Sequence, residues 1–214
     1  MSDRTSQPTT STKRSSEAEA ADSAVIPGVL LPLRKQQRIL LTRKPRDHVF
    51  LVMTGVLMVE ARLPERDRQV LEILYPGDAY HTQDAPASLG AVLTAATPAE
   101  VQRYRPEALE AIERGNPEFK HRLEAAMAYR SARRTLHLAS MSGANGEERL
   151  ADFLVEIGLH LGRPVQGSRS FDIPLSREEI ADYLALNPDT LSRIFSRLKS
   201  SGLLSVSRGR ATIS

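Results

Sequence analysis

The sequence contains no cysteine and no tryptophan, and only five Tyr and five Phe among its 214 residues. The missing thiols exclude disulfides, thiolate zinc sites, cysteine-ligated iron–sulfur clusters and cysteine nucleophiles. Because aromatic rings are scarce, the core must be mainly aliphatic. With 41% apolar residues, a chain of this length can bury a core in two small domains or one larger one.

Long apolar runs are absent as well. We find no run of about 18 apolar residues, which a membrane-spanning helix needs, and no charged-then-apolar N-terminus with a cleavage site. We therefore expect a soluble, cytoplasmic protein that does not associate with membranes. Residues 1–24 are rich in Ser, Thr and Ala and contain few apolar side chains, so they are predicted to form a disordered tail.

Acidic residues are absent from the C-terminal end. The net charge of the whole chain is only +3, but no Asp or Glu follows Asp189. The basic residues beyond that position are Arg193, Arg197, Lys199, Arg208 and Arg210. A locally basic end of this kind is what a nucleic-acid surface requires.

Short strands are predicted within residues 25–116. The runs RILLT, VFLVM, VLMVEA and QVLEIL are rich in β-branched and other apolar residues, and the turn-forming segments RKPRDH, TG, RLPERDR and YPGD separate them. Because no helix is interleaved, these runs predict an antiparallel β-roll or sandwich. A short helix from Pro106 to about Glu113 closes this domain.

A long helix is predicted within residues 117–145, where Asn116 and Pro117 supply an N-cap and a first-turn proline. Its length of about 25 residues corresponds to about 37 Å, which is too long for one small roll to cover. We expect the helix to pair with its copy in a homodimer; the alternative is an amphipathic helix that lies on its own domain. The side chains that interrupt any regular heptad are Arg130, Arg133, Arg134 and His137.

Residues 146–214 are predicted to form a winged helix-turn-helix domain. Ser176 and Glu179 form a capping box at the start of one helix, ALN is a short turn, and Asn187 with Pro188 starts the next helix. Two helices joined by so tight a turn cross at a large angle. LLSVS, RGR and ATIS then form a basic hairpin, the wing. The whole chain is therefore predicted to be an α+β protein.

The second helix of this pair has two stripes. The opposite side from its apolar stripe carries Asp189, Ser192 and Arg193, which we predict to contact bases in the major groove. Arg193 can donate two hydrogen bonds to guanine, Asp189 can accept from cytosine or adenine amino groups, and Ser192 can contact a base edge or a thymine methyl group. The alternatives are a dipole-stabilising carboxylate at Asp189 and an ordinary surface arginine at Arg193. The apolar stripe comprises Leu191, Ile194, Phe195 and Leu198.

Further polar residues surround this stripe and are predicted to contact phosphates. They are Ser176, Arg177, Ser196, Lys199, Arg208 and Arg210. Ser176 and Arg177 lie at the start of the first helix of the pair, and Arg208 and Arg210 belong to the wing. Phosphate contacts fix the register of a protein on DNA without reading its sequence.

The segment FDIPLSREEIADYLALNPDTLSRIFSRLKSSGLL resembles the DNA-binding domain of the Crp–Fnr family of bacterial transcription regulators, most of all its FixK and Fnr branch. VFLVMTGVLMVEARLPERDRQVLEILYPGD resembles the N-terminal roll of the same family, so the resemblance covers about residues 25–214. It implies a homodimer that binds double-stranded DNA at a palindromic operator with TTGAT-like half-sites and that contacts RNA polymerase.

The resemblance also implies which residues contact the DNA bases. The Glu-x-x-Ser-Arg pattern of the Fnr branch falls on Asp189, Ser192 and Arg193. Asp in place of Glu shortens the acidic side chain by one methylene, which leaves open the base pair that it faces. Ala185 stands where a turn glycine is common in the family.

The resemblance bears on ligands of the roll as well. Cyclic-nucleotide-binding members carry Arg-Ser where this chain has Leu89 and Gly90, and without a cation a buried cyclic phosphate would have no counter-charge. We therefore expect no cofactor and an effector that is absent or unknown. His81 lies near the position at which carbon-monoxide-sensing members place an axial histidine, so a haem-dependent gas or redox sensor is the alternative.

A metal enzyme on a cupin-like roll is the alternative from another class of protein. It would need a His-x-His pair with a further Glu and His, and the histidines at positions 48, 81, 121, 137 and 160 offer no such cluster. Motifs of nucleophilic and phosphate-binding enzymes are also missing. We therefore expect a regulator that is not an enzyme and has no metal site.

Overall fold

The computed structural model describes residues 28–41, 47–165, 167–207 and 210–213. An antiparallel β-roll leads into a long helix and a C-terminal winged helix-turn-helix domain, which confirms the predicted α+β fold class. The predicted tail, residues 1–24, and Arg208 of the predicted wing lie outside the described residues. Of the helices in the described part of the chain, none has both the length and the apolar character that crossing a bilayer requires.

The strands of the roll are β1 Val29–Leu33, β2 Arg38–Leu40, β3 Val49–Thr54, β4 Leu57–Leu63, β5 Arg66–Leu74, β6 Ala79–His81, β7 Val92–Ala95 and β8 Ala99–Tyr104. They form two four-stranded antiparallel sheets, ordered β1-β8-β3-β6 and β2-β7-β4-β5. Two short 3-10 turns, Thr82–Asp84 and Ala87–Leu89, connect β6 to β7.

Two details of the roll differ from the sequence prediction. Only Pro64 and Glu65 form the turn between β4 and β5, because Arg66 already pairs with Leu63 and the rest of RLPERDR belongs to the strands. The predicted runs correspond to β2–β5, so β1, β6, β7 and β8 were not predicted; β1 contains Pro32, which is tolerated because this strand lies at a sheet edge. The predicted turn was therefore too long, and the number of strands was too small.

The helices that follow are α1 Pro106–Gly115, α2 Pro117–Gly143 and α3 Gly146–Leu161. Asn116 caps α2 as predicted, since its Oδ1 accepts a hydrogen bond from the Phe119 N–H at 2.9 Å. Pro117 takes the first helical position, where no N–H donor is needed. At 27 residues, α2 is longer than the predicted helix and spans about 40 Å.

The C-terminal domain adds β9 Arg163–Val165, β10 Ser168–Asp172, α4 Arg177–Tyr183, α5 Pro188–Ser200, β11 Leu204–Ser207 and β12 Arg210–Ile213. The predicted wing hairpin, β11 with β12, belongs to a larger antiparallel sheet of the order β11-β12-β10-β9. The predicted capping box opens α4: Ser176 Oγ accepts from the Glu179 N–H at 3.2 Å, and the Ser176 N–H donates to Glu179 Oε2 at 2.7 Å. Helices α4 and α5 form the helix-turn-helix.

Among the described residues, three apolar clusters hold these parts together, and the third packs α1 and α2 against the roll. The first lies between the sheets of the roll and is mainly aliphatic, with Leu57 and Leu93 at its centre. The second joins the β4–β5 face of the roll to the C-terminal domain, where Ile73 and Tyr75 belong to the same buried cluster as Phe153 of α3. Because this contact is apolar and extensive, the roll sets the position of the helix-turn-helix.

Arg130 of α2 is buried against the roll. It is only 4% exposed, its Nη1 donates to both carboxylate oxygens of Glu72 at 2.9 Å, and its Nη2 pairs with Asp84. Burial raises the pKa of Glu72, and the charge and hydrogen bonds of Arg130 act against this rise. A cation in such surroundings is retained because its counter-charges are buried with it.

Arg133, one turn further along α2, connects three parts of the chain. Its Nη2 lies 2.7 Å from Oδ2 of Asp78 in the roll, and its Nε lies 3.3 Å from Oε1 of Glu156 in α3. His137 stacks on Tyr183 of α4 with ring centroids 4.0 Å apart. These residues do interrupt an apolar heptad, but the reason is that they form the face of α2 that packs within its own chain.

Candidate nucleic-acid interface

Helix α5 presents the two stripes that the sequence predicts. Its apolar stripe is buried, and consists of Leu191, Ile194, Phe195 and Leu198. Asp189, Ser192 and Arg193 are exposed on the opposite side, and so are Ser196 and Lys199. The polar stripe therefore faces away from its own domain, where the groove of a duplex can reach it.

Asp189 and Arg193 form no ion pair with any other described residue. The Asp189 N–H donates to Oδ1 of Asn187 at 2.8 Å, which caps α5 and places the exposed carboxylate in the first helical turn. The dipole role and the base-reading role of Asp189 are compatible, because the carboxylate keeps its oxygens available. Arg193 is exposed, and its guanidinium donors form no ion pair with any described residue.

The serine hydroxyls of the stripe are engaged with their own helix. Ser192 Oγ donates to the carbonyl oxygen of Pro188 at 2.9 Å, and Ser196 Oγ donates to that of Ser192 at 3.0 Å. Each Oγ retains lone pairs that can accept a hydrogen bond from a base amino group. Ser192 is therefore set to accept rather than to donate, unless its hydroxyl rotates away from the backbone.

The turn between α4 and α5 requires a left-handed residue at Ala185, whose φ is +50°. The turn closes through a hydrogen bond from the Leu186 N–H to the carbonyl oxygen of Ala181 at 2.8 Å. This φ explains why the family resemblance leads one to expect a glycine here, since a Cβ in this region costs about 1–2 kcal/mol. Ala181 is buried and small, which lets the two helices approach closely.

Arg177, predicted to contact phosphate, lies over an aromatic ring. The centre of its guanidinium is 3.3 Å from the ring centroid of Phe195 on α5, a cation–π contact. The residue as a whole remains exposed at the start of α4. The predicted phosphate ligand thus also links the two helices of the helix-turn-helix.

The other residues predicted to contact phosphates differ in whether their side chains are already paired within the chain. Ser176 is exposed, but its Oγ accepts the capping hydrogen bond of Glu179, whereas Lys199 is exposed without an ion pair among the described residues. Arg210 pairs with Asp172 of β10, with Nε 3.1 Å from Oδ1, so its charge is partly compensated within the sheet. Arg208 lies outside the described residues.

Sequence reasoning missed the contact between the roll and α4. Asp182 Oδ2 accepts a hydrogen bond from the Val70 N–H at 2.7 Å, and the Asp182 carbonyl oxygen accepts from Gln69 Nε2 at 2.7 Å. Gln36 Nε2 donates to Glu179 Oε1 at 3.0 Å. The partners are more than a hundred positions apart in the chain, so no local pattern could have revealed them.

The surroundings of His81 do not fit a haem. Its Nδ1 accepts a hydrogen bond from the Gln83 N–H at 3.0 Å, and the adjoining cavity of about 190 Å³ is lined by Asp47, Glu110 and Glu113. That volume is below the roughly 300 Å³ at which small-molecule pockets begin, and carboxylates would repel haem propionates. Among the described residues, no group of three or more His, Asp or Glu could hold a metal ion.

Comparison with known proteins agrees with this geometry. A family model described as a Crp-like helix-turn-helix domain matches residues 148–214. The nitrogen fixation regulation protein FixK of Rhizobium meliloti is 28% identical over 166 residues, which are 77% of this chain and 72% of that protein. The transcriptional activator protein FnrL of Cereibacter sphaeroides is 28% identical over 183 residues, 83% of this chain and 73% of that protein.

A solved structure shows the same architecture. The structure of FixK2 from Bradyrhizobium japonicum superposes with a TM-score of 0.71 at 26% sequence identity. The match covers 87% of this chain and 91% of that chain, so it includes the roll, the long helix and the winged domain together.

Proposed function

We propose that this chain, which belongs to the Crp–Fnr family of transcription regulators in its FixK branch, acts as a homodimer on a palindromic operator with TTGAT-like half-sites. As a member of that family it is a DNA-binding transcription regulator and not an enzyme, so the cupin-like alternative is discarded. The observation that carries the finer proposal is the exposed stripe of α5, on which a carboxylate and a guanidinium lack a described partner.

In this proposal, each residue of the exposed stripe on α5 has its own contact with the bases. Arg193 donates two parallel hydrogen bonds to O6 and N7 of a guanine, and Asp189 accepts from a base amino group near the start of α5. Ser192 contacts the base edge between them. Ser176, Arg177, Ser196, Lys199, Arg208 and Arg210 hold the phosphates on either side.

The outward face of α2 supports the homodimer. At alternating steps of three and four residues, it carries Arg122, Ala125, Tyr129, Ala132, Leu136, Ala139 and Gly143, all of them exposed. Tyr129 is 56% and Leu136 is 70% exposed in the single chain. This is the a/d spacing of a coiled coil, with small residues alternating with large ones, and so many exposed apolar groups are typical of an interface.

Helix α3 borders the same face. A groove of about 710 Å³ lies between α2 and α3. It is lined by Leu136 and Ala139 from one side and by the exposed Val155 and Leu159 from the other. The α2 helix of a second copy is the occupant that we propose for this groove.

We propose that the roll holds no small-molecule effector. The cation that would neutralise a cyclic phosphate is missing, since Leu89 packs against the roll core and Gly90 has no side chain. The carboxylate-lined cavity beside His81 argues against haem. Activity is then set by the abundance of the protein or by a protein partner, with RNA polymerase implied by the family resemblance, in the cytoplasm where the DNA lies.

Selection of bound sequences from random duplexes, without any added ligand, tests the proposal. We expect two inverted TTGAT-like half-sites with centres about 34 Å apart, together with a mass in light scattering of twice that of one chain. Enrichment of no sequence, or of a single half-site by a monomer, would contradict it. A requirement for haem, seen as binding only after reconstitution and a Soret band, would overturn the effector-free part alone.

A further inference from the structure

Each nitrogen of the Arg133 guanidinium group has a partner within the chain. Nη1 and Nη2 lie 3.2 Å and 2.7 Å from the two carboxylate oxygens of Asp78, and Nη2 also donates to the carbonyl oxygen of Ile73 at 3.0 Å. Nε lies 3.3 Å from Glu156 Oε1, and Nη1 lies 3.3 Å from Nε2 of His160. Two of these partners belong to the roll and two to α3, so one side chain of α2 joins three parts of the chain.

The contact with Arg133 defines the protonation state of His160. A guanidinium group has donors and no acceptor, so Nε2 must accept and the imidazole proton lies on Nδ1. Burial and the charge of Arg133 lower the pKa of His160 below its ordinary value of 6.5, and Asp78 acts against this shift. The imidazole is therefore neutral at pH 7, and its protonation would place a second cation 3.3 Å from Nη1.

The groups that the roll, α2 and α3 place around His160 are already shared with that arginine. Tyr75 stacks on the imidazole with ring centroids 4.3 Å apart, and Tyr129 meets it edge-on at 5.9 Å. Both rings also face the guanidinium group, at 4.9 Å and 5.8 Å. The carboxylates of Asp78 and Glu156 are paired with the same group. The outward face of α2, which we propose to fill the adjoining groove from a second copy, contains no Asp or Glu.

His160 lies where α3 meets the roll, beside the buried cluster that joins the roll to the C-terminal domain. The other end of α3 contacts α5. Arg197 Nη2 lies 3.0 Å from Glu147 Oε2, and a Cβ added to Gly146 would lie only 3.2 Å from Ile194 Cδ1. A change in how α3 docks on the roll therefore changes the position of α5.

We propose that His160 makes the docking of the winged domain sensitive to acid: the neutral imidazole accepts from Arg133 and stabilises α3 on the roll and α2, whereas the protonated imidazole repels Arg133 and weakens this docking. The inference rests on the proposed function, because it concerns the spacing of two α5 helices on an operator. The apolar cluster between the domains is present in both states, so acid populates undocked conformers without unfolding the chain.

The direction of the effect follows from the lowered pKa of His160. Undocked His160 takes up a proton at its ordinary value of 6.5, whereas docked His160 takes it up only at lower pH. The stabilisation of the docked state is therefore complete above pH 6.5 and is lost as the pH falls through the docked pKa.

The first measurement needs no DNA. Because the chain has no cysteine, Glu100→Cys on the roll and Ser200→Cys on α5 provide two unique positions for spin labels, both at exposed residues. With unlabelled protein in excess, the distance distribution within one chain should be narrow at about pH 7.5 and broad at about pH 5.5. His160→Gln, whose amide oxygen accepts without titrating, should be narrow at both, and His160→Lys should be broad at both.

Three further variants separate His160 from other titrating groups. Burial raises the pKa of Glu156 against the charge of its arginine partner, so its carboxyl also takes up a proton in acid. Broadening in acid should persist in Glu156→Gln. His121→Gln removes an exposed imidazole of α2 and should behave as wild type. Broadening that persists in His160→Gln, or that is abolished by His137→Gln, would overturn the inference.

The second measurement compares the selected operator with one that carries about two extra base pairs between its half-sites. The ratio of the two affinities cancels the titration of groups at the DNA surface. Since a dimer takes up as many as two protons, this ratio should fall at least about tenfold from about pH 7.5 to about pH 5.5, and it should stay constant in His160→Gln.

A wild-type ratio that does not change with pH would overturn the inference. A wild-type protein that selects no duplex at any pH would instead contradict the proposed function, and the spin-label distances would still decide whether His160 controls docking.

Discussion

Arg130 and Arg133 on α2 and Arg193 on α5 differ in what their guanidinium groups contact. On α2, Arg130 and Arg133 are each held between two carboxylates inside the chain. On α5, Arg193 is exposed and has no partner among the described residues. A buried guanidinium without a counter-charge is unstable, whereas an exposed one costs little and remains available to a ligand. The difference therefore separates residues that assemble the domains from residues that we propose to contact DNA.

The largest expected effect on the free energy of unfolding comes from replacing a buried arginine of α2. Arg130→Met leaves Glu72 and Asp84 without their cation, so we expect the free energy of unfolding to fall by about 3–5 kcal/mol. Urea denaturation measures the change. Arg134→Gln, at an exposed position on the same helix, is the control and should cost less than about 0.5 kcal/mol. The double variant Arg130→Met with Glu72→Met should recover part of the loss, and failure to do so would mean that the ion pair is not the cause.

The outward face of α2 should matter for assembly and not for folding of the chain. Leu136→Glu places a charge on the outward face of α2, the proposed dimer interface. We expect the dimer dissociation constant to rise at least about 100-fold, since burial of two leucines contributes about 3 kcal/mol or more. Sedimentation at a series of concentrations measures it. Leu138→Glu is the matched control, because Leu138 is 58% exposed but does not belong to the outward face of α2. Equal effects of both variants would locate the interface elsewhere.

Substitutions of the exposed residues on α5 should change DNA binding and leave the free energy of unfolding unchanged. Arg193→Ala is expected to cost about 1–3 kcal/mol of binding free energy and to relax the preference at one base pair. Lys199→Ala, at a proposed phosphate contact, should weaken all sequences alike. Titration of operator variants and random duplexes with both proteins measures the two effects, and an identical pattern of loss would refute the assignment of Arg193 as a base reader.

The smallest effect concerns the turn that orients α5. Ala185→Gly should raise the free energy of unfolding by about 0.5–1 kcal/mol, because relief of the left-handed strain exceeds the added freedom of the unfolded chain. Ala181→Gly, inside α4, is the control and should lower it by about 1 kcal/mol. Thermal unfolding measures both, and destabilisation by Ala185→Gly would mean that the turn is not strained.

Local patterns predicted much of the fold and of the candidate site. The capping box of Ser176 and Glu179, the cap at Asn116 and the two stripes of α5 depend on residues within one or two helical turns, and all of them are present. Four strands of the roll were not predicted, and one of them, β1, contains Pro32, whose tolerance in a strand depends on the edge position. Arg210 was assigned to phosphate without its partner, because Asp172 lies 38 positions earlier in the chain.

The sequence by itself determined which residues share a face, because helical and strand periodicities are local and follow from backbone geometry. Only the tertiary structure decided what each face meets. Glu72 is 58 positions from Arg130 and Asp182 is 112 from Val70, and pairs so distant form only when packing of the roll against α2 and against the winged domain brings them together. For this reason the exposed stripe of α5 was predictable, whereas the inward role of the α2 arginines and the contact between the roll and α4 were not.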